Sequence, residues 1–184
     1  MMDQKKIQEL ISRSQQEDAA AFSLLVSTFQ PLVFRLAFRL LCDEDEAKDM
    51  VQETFVKVWL ALGKYNGECR FSTWLYRIAY NAAVSATRKK KQEFLYIEEG
   101  TINNVPDEKA DEILCPTDDE ERTAKLIQAI DLLNVEEKVL ITLFYFEEKS
   151  IEEIGEVLKL SSGNVKVKLH RTRKKIYLLM NGDE

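Results

Sequence analysis

The chain has 184 residues, 45% of them hydrophobic, and a net charge of -6; this is enough apolar material for one ordinary domain or two small ones, and it excludes wholesale disorder. No run of 18 apolar residues occurs, and MMDQKKIQEL lacks both the apolar stretch and the cleavage site of a signal peptide, so a cytoplasmic protein without membrane insertion is expected. Cys42, Cys69 and Cys115 are odd in number, far apart and outside any CxxC, and His170 is the single histidine; a disulfide framework and a zinc site are therefore disfavoured, and the thiols read as buried or incidental.

Helical periodicity dominates from the start. From Asp18 to Leu41 the apolar residues Phe22, Leu25, Val26, Phe29, Val33, Leu36, Ala37 and Leu40 recur at helical spacing, and Pro31 either starts a second helix or kinks one long one. Asp45 to Leu62 forms the next helix, with Met50, Val51, Phe55, Val58 and Leu62 on one broad face and Gly63 ending it. Asp45, Asp49, Gln52 and Glu53 cluster on another side of it. Tyr65 to Arg70 is a loop around Gly67. Ser72 reads as the N-cap of a helix that runs to about Lys91.

That last segment interleaves Tyr65, Phe71, Trp74, Tyr76 and Tyr80 with Lys64, Arg70 and Arg77, and ends in Arg88, Lys89, Lys90 and Lys91. Some rings belong to a core stripe with Trp74 and Ile78. The others, with the cations, make a surface suited to holding unpaired bases by stacking and phosphates by charge.

Charge is strongly segregated. Lys64 to Lys91 holds seven Lys or Arg against one acid; Gln92 to Glu121 holds eleven acids against one Lys; Gly163 to Ile176 holds six cations and no acid. Two basic patches separated by an acidic stretch suggest two contacts with a polyanion. Residues 92 to 121 contain Pro106 and Pro116 and no sustained periodicity, so they read as a flexible, self-repelling linker of roughly 30 Å as a random coil.

A second helical block begins near Thr123, where Leu126, Ile127, Ile130 and Leu133 share a face. Asn134 to Glu137 and Ser150 to Glu153 are capping boxes. The second opens a short helix through Leu158, followed by a turn over Lys159 to Ser162 and a last helix to about Met180. This is a helix-turn-helix pattern. Val165, Leu169, Thr172, Ile176 and Leu179 line the back of the last helix, facing Ile151, Ile154 and Leu158, while Lys166, Val167, His170, Arg171 and Lys174 form its front. An apolar back with hydrogen-bond donors in front is what reading a major groove requires.

The segments EDEAKDMVQETFVKVW, RFSTWLYRIAYNAAV and SIEEIGEVLKLSSGNVKVKLHRTRKKI, in that order, closely resemble the extracytoplasmic-function (ECF) class of bacterial sigma factors. The resemblance runs from about Ala21 to Leu178, apart from the linker. It implies an all-α protein of two small helical domains: a region 2-like bundle over 1–91, an acidic linker over 92–121 and a region 4-like helix-turn-helix domain over 122–184. It further implies a non-catalytic promoter-specificity subunit without a cofactor, small-molecule substrate or metal. Its partners would be core RNA polymerase, promoter DNA and an anti-sigma factor, which could hold it at the membrane.

Carried over by position, Asp49, Gln52 and Glu53 fall on the family's polymerase-binding motif. Phe71, Trp74, Tyr76, Arg77 and Asn81 fall in its melting and minus-10 segment, and the loop containing Asn66 and Arg70 matches the part that accepts a flipped base. Arg88 to Lys91 would lie beside duplex phosphates. Lys166, Val167, His170 and Arg171 match positions that face minus-35 bases, with Lys174 beyond them. Lys159 stands where the family usually has Gly, which costs about 1 kcal/mol if that residue is left-handed. Two readings of the acidic linker are open, a solvating tether and a mimic of DNA that keeps the free protein off its promoters. A duplex-binding regulator that never meets polymerase, and a nuclease or metal hydrolase, fit the motifs less well, since the DMVQETF helix is unused in the first and neither HExxH nor a phosphate-cradling GxxxxGK[ST] exists for the second.

Overall fold

The computed structural model describes residues 3–90, 97, 99–114 and 119–182, with backbone only for 88–90. Lys91 and Cys115 lie outside this set. Among the described residues all regular structure is helical: α1 Gln4–Gln15, α2 Ala19–Leu41, α3 Glu44–Ala61, α4 Phe71–Lys90, α5 Glu99–Asn104, α6 Asp107–Glu112, α7 Glu120–Asp131, α8 Val135–Ile141, α9 Ile151–Leu158 and α10 Ser162–Asn181. The chain divides into two compact units, Met1–Ala86 and Thr87–Glu184, so that the division falls inside α4.

In the first unit α2 is the central helix. Asp18 starts it, its carboxylate accepting from the Ala21 N–H at 3.0 Å, which satisfies one of the donors a helix N-terminus leaves open. Pro31 sits inside α2 without dividing it. The helix is long and apolar enough to cross a membrane by length and composition. However, Ala21, Leu25, Phe29, Val33, Leu36, Ala37 and Leu40 are all buried within the unit. They pack α2 against α1 and α3, which accounts for the apolarity as core. Asp43 caps α3 by accepting from the Glu46 N–H at 2.9 Å. A 3-10 turn over Leu62–Lys64 follows α3. Gln15 at the end of α1 donates to the Leu62 and Tyr65 carbonyls at 3.0 and 2.8 Å. Cys42 is exposed rather than buried, and Cys69 is half-buried.

In the second unit the two capping boxes form as the sequence suggests, Asn134 with Glu137 and Ser150 with Glu153. α9 and α10 make the helix-turn-helix. Gly155 is required where α9 meets the turn: a Cβ there would stand 2.6 Å from the Leu160 carbonyl oxygen. Lys159 ends α9 in the left-handed region at φ 58°. Ser161 caps α10, whose back, Val165, Leu169, Thr172 and Ile176, is buried; Leu179 is only partly covered.

Two sequence expectations are corrected here. α4 begins at Phe71, one residue before the expected cap Ser72. More consequentially, part of the expected linker is ordered helix. α5 and α6 pack on α10, and Ile102, Val105, Ala110 and Ile113 are buried as a small apolar keel. Ile102 and Val105, and again Ala110 and Ile113, stand three residues apart, but each pair covers less than a turn, and the prolines and acids around them obscured the signal.

Candidate nucleic-acid and polymerase interfaces

The outer side of α3 carries Asp49, Gln52 and Glu53, all exposed, while Met50, Val51, Phe55 and Val58 are buried on the inner side. Glu53 is paired with Lys57 at 2.7 Å. The acidic stripe continues at helical spacing into Val56 and Leu60, which are 60% and 77% exposed. Sequence inspection missed these two. Their signal is two apolar residues on the polar side of an amphipathic helix, and they give the surface a greasy end beside its charged one.

At the loop before α4 the rings turn inward. Phe71, Trp74 and Tyr76 are 4%, 6% and 0% exposed: Trp74 lies in the core stripe as expected, and Phe71 and Tyr76, expected among the base-stacking rings, are corrected to core beside it. Tyr65, Phe71 and Trp74 form a ring cluster with centroids 5.3 to 5.7 Å apart, and Phe29 joins it from α2 at 5.0 Å from Phe71. The physical reason is area: each ring gains more by leaving water than by waiting for a base. The cluster makes the loop rigid. Tyr65 Oη donates to the Cys69 carbonyl at 2.7 Å, and burial pushes the phenol's pKa up, which keeps it a donor. The Glu68 N–H donates to Asn66 Oδ1 at 3.2 Å. Gly67 takes φ 79°, a left-handed conformation open to glycine. What remains at the surface is polar: Asn66, Arg70 and Asn81 are exposed, and Arg77, four residues before Asn81 on the same side of α4, is half-buried. Arg88, Lys89 and Lys90 continue α4 as helix.

The front of α10 is divided. Lys166 and Val167 are exposed, Val167 by 57%. One turn later the front meets acids from the neighbouring helices. Arg171 donates to Glu99 at 2.6 Å, His170 Nε2 lies 3.1 Å from Asp107, and Lys174 Nζ lies 2.7 Å from the same carboxylate oxygen. Arg173 pairs with Asp111 at 3.0 Å. Lys174 is buried, at 8% exposure, which corrects the expectation that it stands free on the front. The hydrogen bond from Arg171 holds the Glu99 carboxyl below its usual pKa; Lys174 first, then His170, does the same for Asp107. On the flank of the helix, Lys175 is bound to Glu137 at 3.0 Å and Lys168 to Glu136 at 2.6 Å. Among the described residues no group of His, Cys, Asp or Glu has metal-holding geometry.

The family model for Sigma-70 region 2 matches residues 25–93, and that for Sigma-70, region 4 matches residues 123–176. These two matches define a bipartite initiation factor. The chain is 33% identical to the RNA polymerase sigma-H factor of Pseudomonas aeruginosa, covering 96% of this chain and 94% of the relative. It is 33% identical to the ECF RNA polymerase sigma factor SigW of Bacillus subtilis, covering 94% of each, and 34% identical to the ECF RNA polymerase sigma-E factor of Haemophilus influenzae, covering 96% of each. CnrH, solved in complex with the cytosolic domain of CnrY, shares the fold at TM-score 0.68 and 22% identity over 97% of this chain and 99% of that one. The sigma factor RpoE of Bartonella quintana, solved with the anti-sigma factor NepR, matches at TM-score 0.61 and 20% identity, over 89% of this chain and 98% of that one. The chain belongs to the ECF class of bacterial RNA polymerase sigma factors. Its function is promoter-specific initiation of transcription with RNA polymerase.

Proposed function

We propose that the work of initiation is divided among the three surfaces as follows. The outer stripe of α3 docks on core polymerase through Asp49, Gln52 and Glu53, with Val56 and Leu60 supplying apolar contact. The rigid loop 65–70, through Asn66 and Arg70, and the adjoining polar side of α4, through Arg77 and Asn81, hold the parted minus-10 strand. Phe71, Trp74 and Tyr76 serve by fixing that loop from beneath. Arg88 to Lys91 neutralise phosphates upstream, so binding weakens steeply with salt. α10 reads the minus-35 duplex with Lys166, Val167, His170 and Arg171, and Val167 is suited to a thymine methyl.

The observation that carries this reading is the sidedness of α10: Val165, Leu169, Thr172 and Ile176 are packed along its back while Lys166 and Val167 project into solvent at the helix's first turns. In this reading 1–91 makes the polymerase and minus-10 contacts and 122–184 the minus-35 contacts. The protein performs no catalysis of its own and works in the cytoplasm. An anti-sigma factor that covers these surfaces would be a second partner; two structural neighbours were solved bound to CnrY and NepR.

Purified core polymerase with this chain should give promoter-dependent initiation and an opened duplex reactive to permanganate. D49K/E53K should abolish both while leaving the helical content and melting temperature intact. Normal initiation by that variant would remove the docking assignment.

A further inference from the structure

We infer that residues 99–113 are a built-in competitor of duplex DNA for the front of α10, so that the free chain holds its minus-35-reading helix partly covered. This rests on the reading of α10 given above and adds an occupant to that surface.

The carboxylates of Glu99 and Asp107 sit on Arg171, His170 and Lys174 at 2.6 to 3.1 Å, where phosphate or base-edge oxygens would otherwise be met. Such pairs are individually weak at a surface. The seat is made firm by the keel, since Ile102, Val105, Ala110 and Ile113 are all under a tenth exposed, and exposing them to water costs free energy in proportion to area. Asp111 on Arg173 fixes the far end of α6.

Geometry makes the two occupants exclusive. A major groove about 12 Å wide admits one helix, and a helix with its side chains is already about 10–12 Å across. α10 cannot enter the groove along its middle turns while α6 lies on His170 and Lys174. Lys166 and Val167, one turn earlier, stay exposed, so the cover leaves a first foothold and withholds the rest. Duplex must therefore displace α5 and α6, exchanging carboxylate partners for phosphates and releasing the keel.

The test is the affinity of the full free chain for a labelled duplex. E99Q/D107N/D111N should bind about tenfold more tightly at low salt, with a steeper dependence on salt because more cations reach phosphates. E108Q/E112Q/E120Q removes the same charge from acids outside these pairs and should change affinity by less than about twofold. Equal gains for both triples, or none for either, overturn the proposal. In the unaltered chain, amide hydrogen exchange across 99–113 should rise on saturation with duplex; unchanged protection with DNA bound overturns it as well. Failure of the underlying reading has its own signature: K166A, outside the covered stretch, would leave initiation by the holoenzyme unchanged. A drop with K166A together with no gain from E99Q/D107N/D111N would sink the cover alone.

Discussion

The two basic segments of this chain look alike in composition and fold to opposite ends. The segment from Lys64 through α4 buries Tyr65, Phe71, Trp74 and Tyr76 and leaves Asn66, Arg70 and Asn81 at the surface. α10 buries its apolar back and has much of its cationic front occupied by acids from α5 and α6. In the first, aromatic residues that look like a binding platform are core beneath a polar surface. In the second, cations that look available are already engaged. Charge and ring content along a sequence therefore do not report what a surface offers; the neighbours of each side chain decide that.

The comparison can be broken most forcefully at the rings. W74A should destabilise the first unit by about 3–5 kcal/mol, read by urea denaturation, because it empties a buried site among Tyr65 and Phe71. N66A/N81A should leave stability within about 0.5 kcal/mol and lower open-complex formation. If W74A instead keeps its stability and loses only promoter opening, Trp74 is a platform and the core assignment is wrong. In the second unit, G155A should cost about 2–3 kcal/mol, since its methyl meets the Leu160 carbonyl, and the loss should be confined to melting of residues 99–182.

A smaller effect has the opposite sign. K159G should stabilise the second unit by about 1 kcal/mol, because Lys159 occupies a left-handed conformation at φ 58°. The smallest effect is set by pH. Glu99 and Asp107 are held below their ordinary values of 4.5 and 3.8. Their contribution to seating α5 and α6 on α10 is therefore fully present at neutral pH. It declines progressively once pH falls below those ordinary values and is gone below the lowered ones. The methyl resonances of Ile102 and Ile113 should shift over that acidic range, and in E99Q/D107N the shift should vanish.

The helices of both units were legible wherever an apolar stripe of several turns met a cap: Asp18 before α2, Asn134 with Glu137, Ser150 with Glu153. The helix-turn-helix and the acidic outer side of α3 were legible for the same reason. α5 and α6 were not, because six residues provide less than two turns of periodicity and such helices stand only by packing on another element. Val56 and Leu60 were missed because an exposed leucine alone is unremarkable; it is their place in line with Asp49 and Glu53 that makes a surface.

What the sequence determined by itself was local: helix starts and stops, the inward stripe of each helix and the segregation of charge, all set by interactions within a few residues of chain. Only the tertiary structure decided which rings are core and which cations are free. Those outcomes depend on partners tens of residues away, Phe29 for Phe71 and Glu99 for Arg171, and no periodicity along the chain records a partner at that distance.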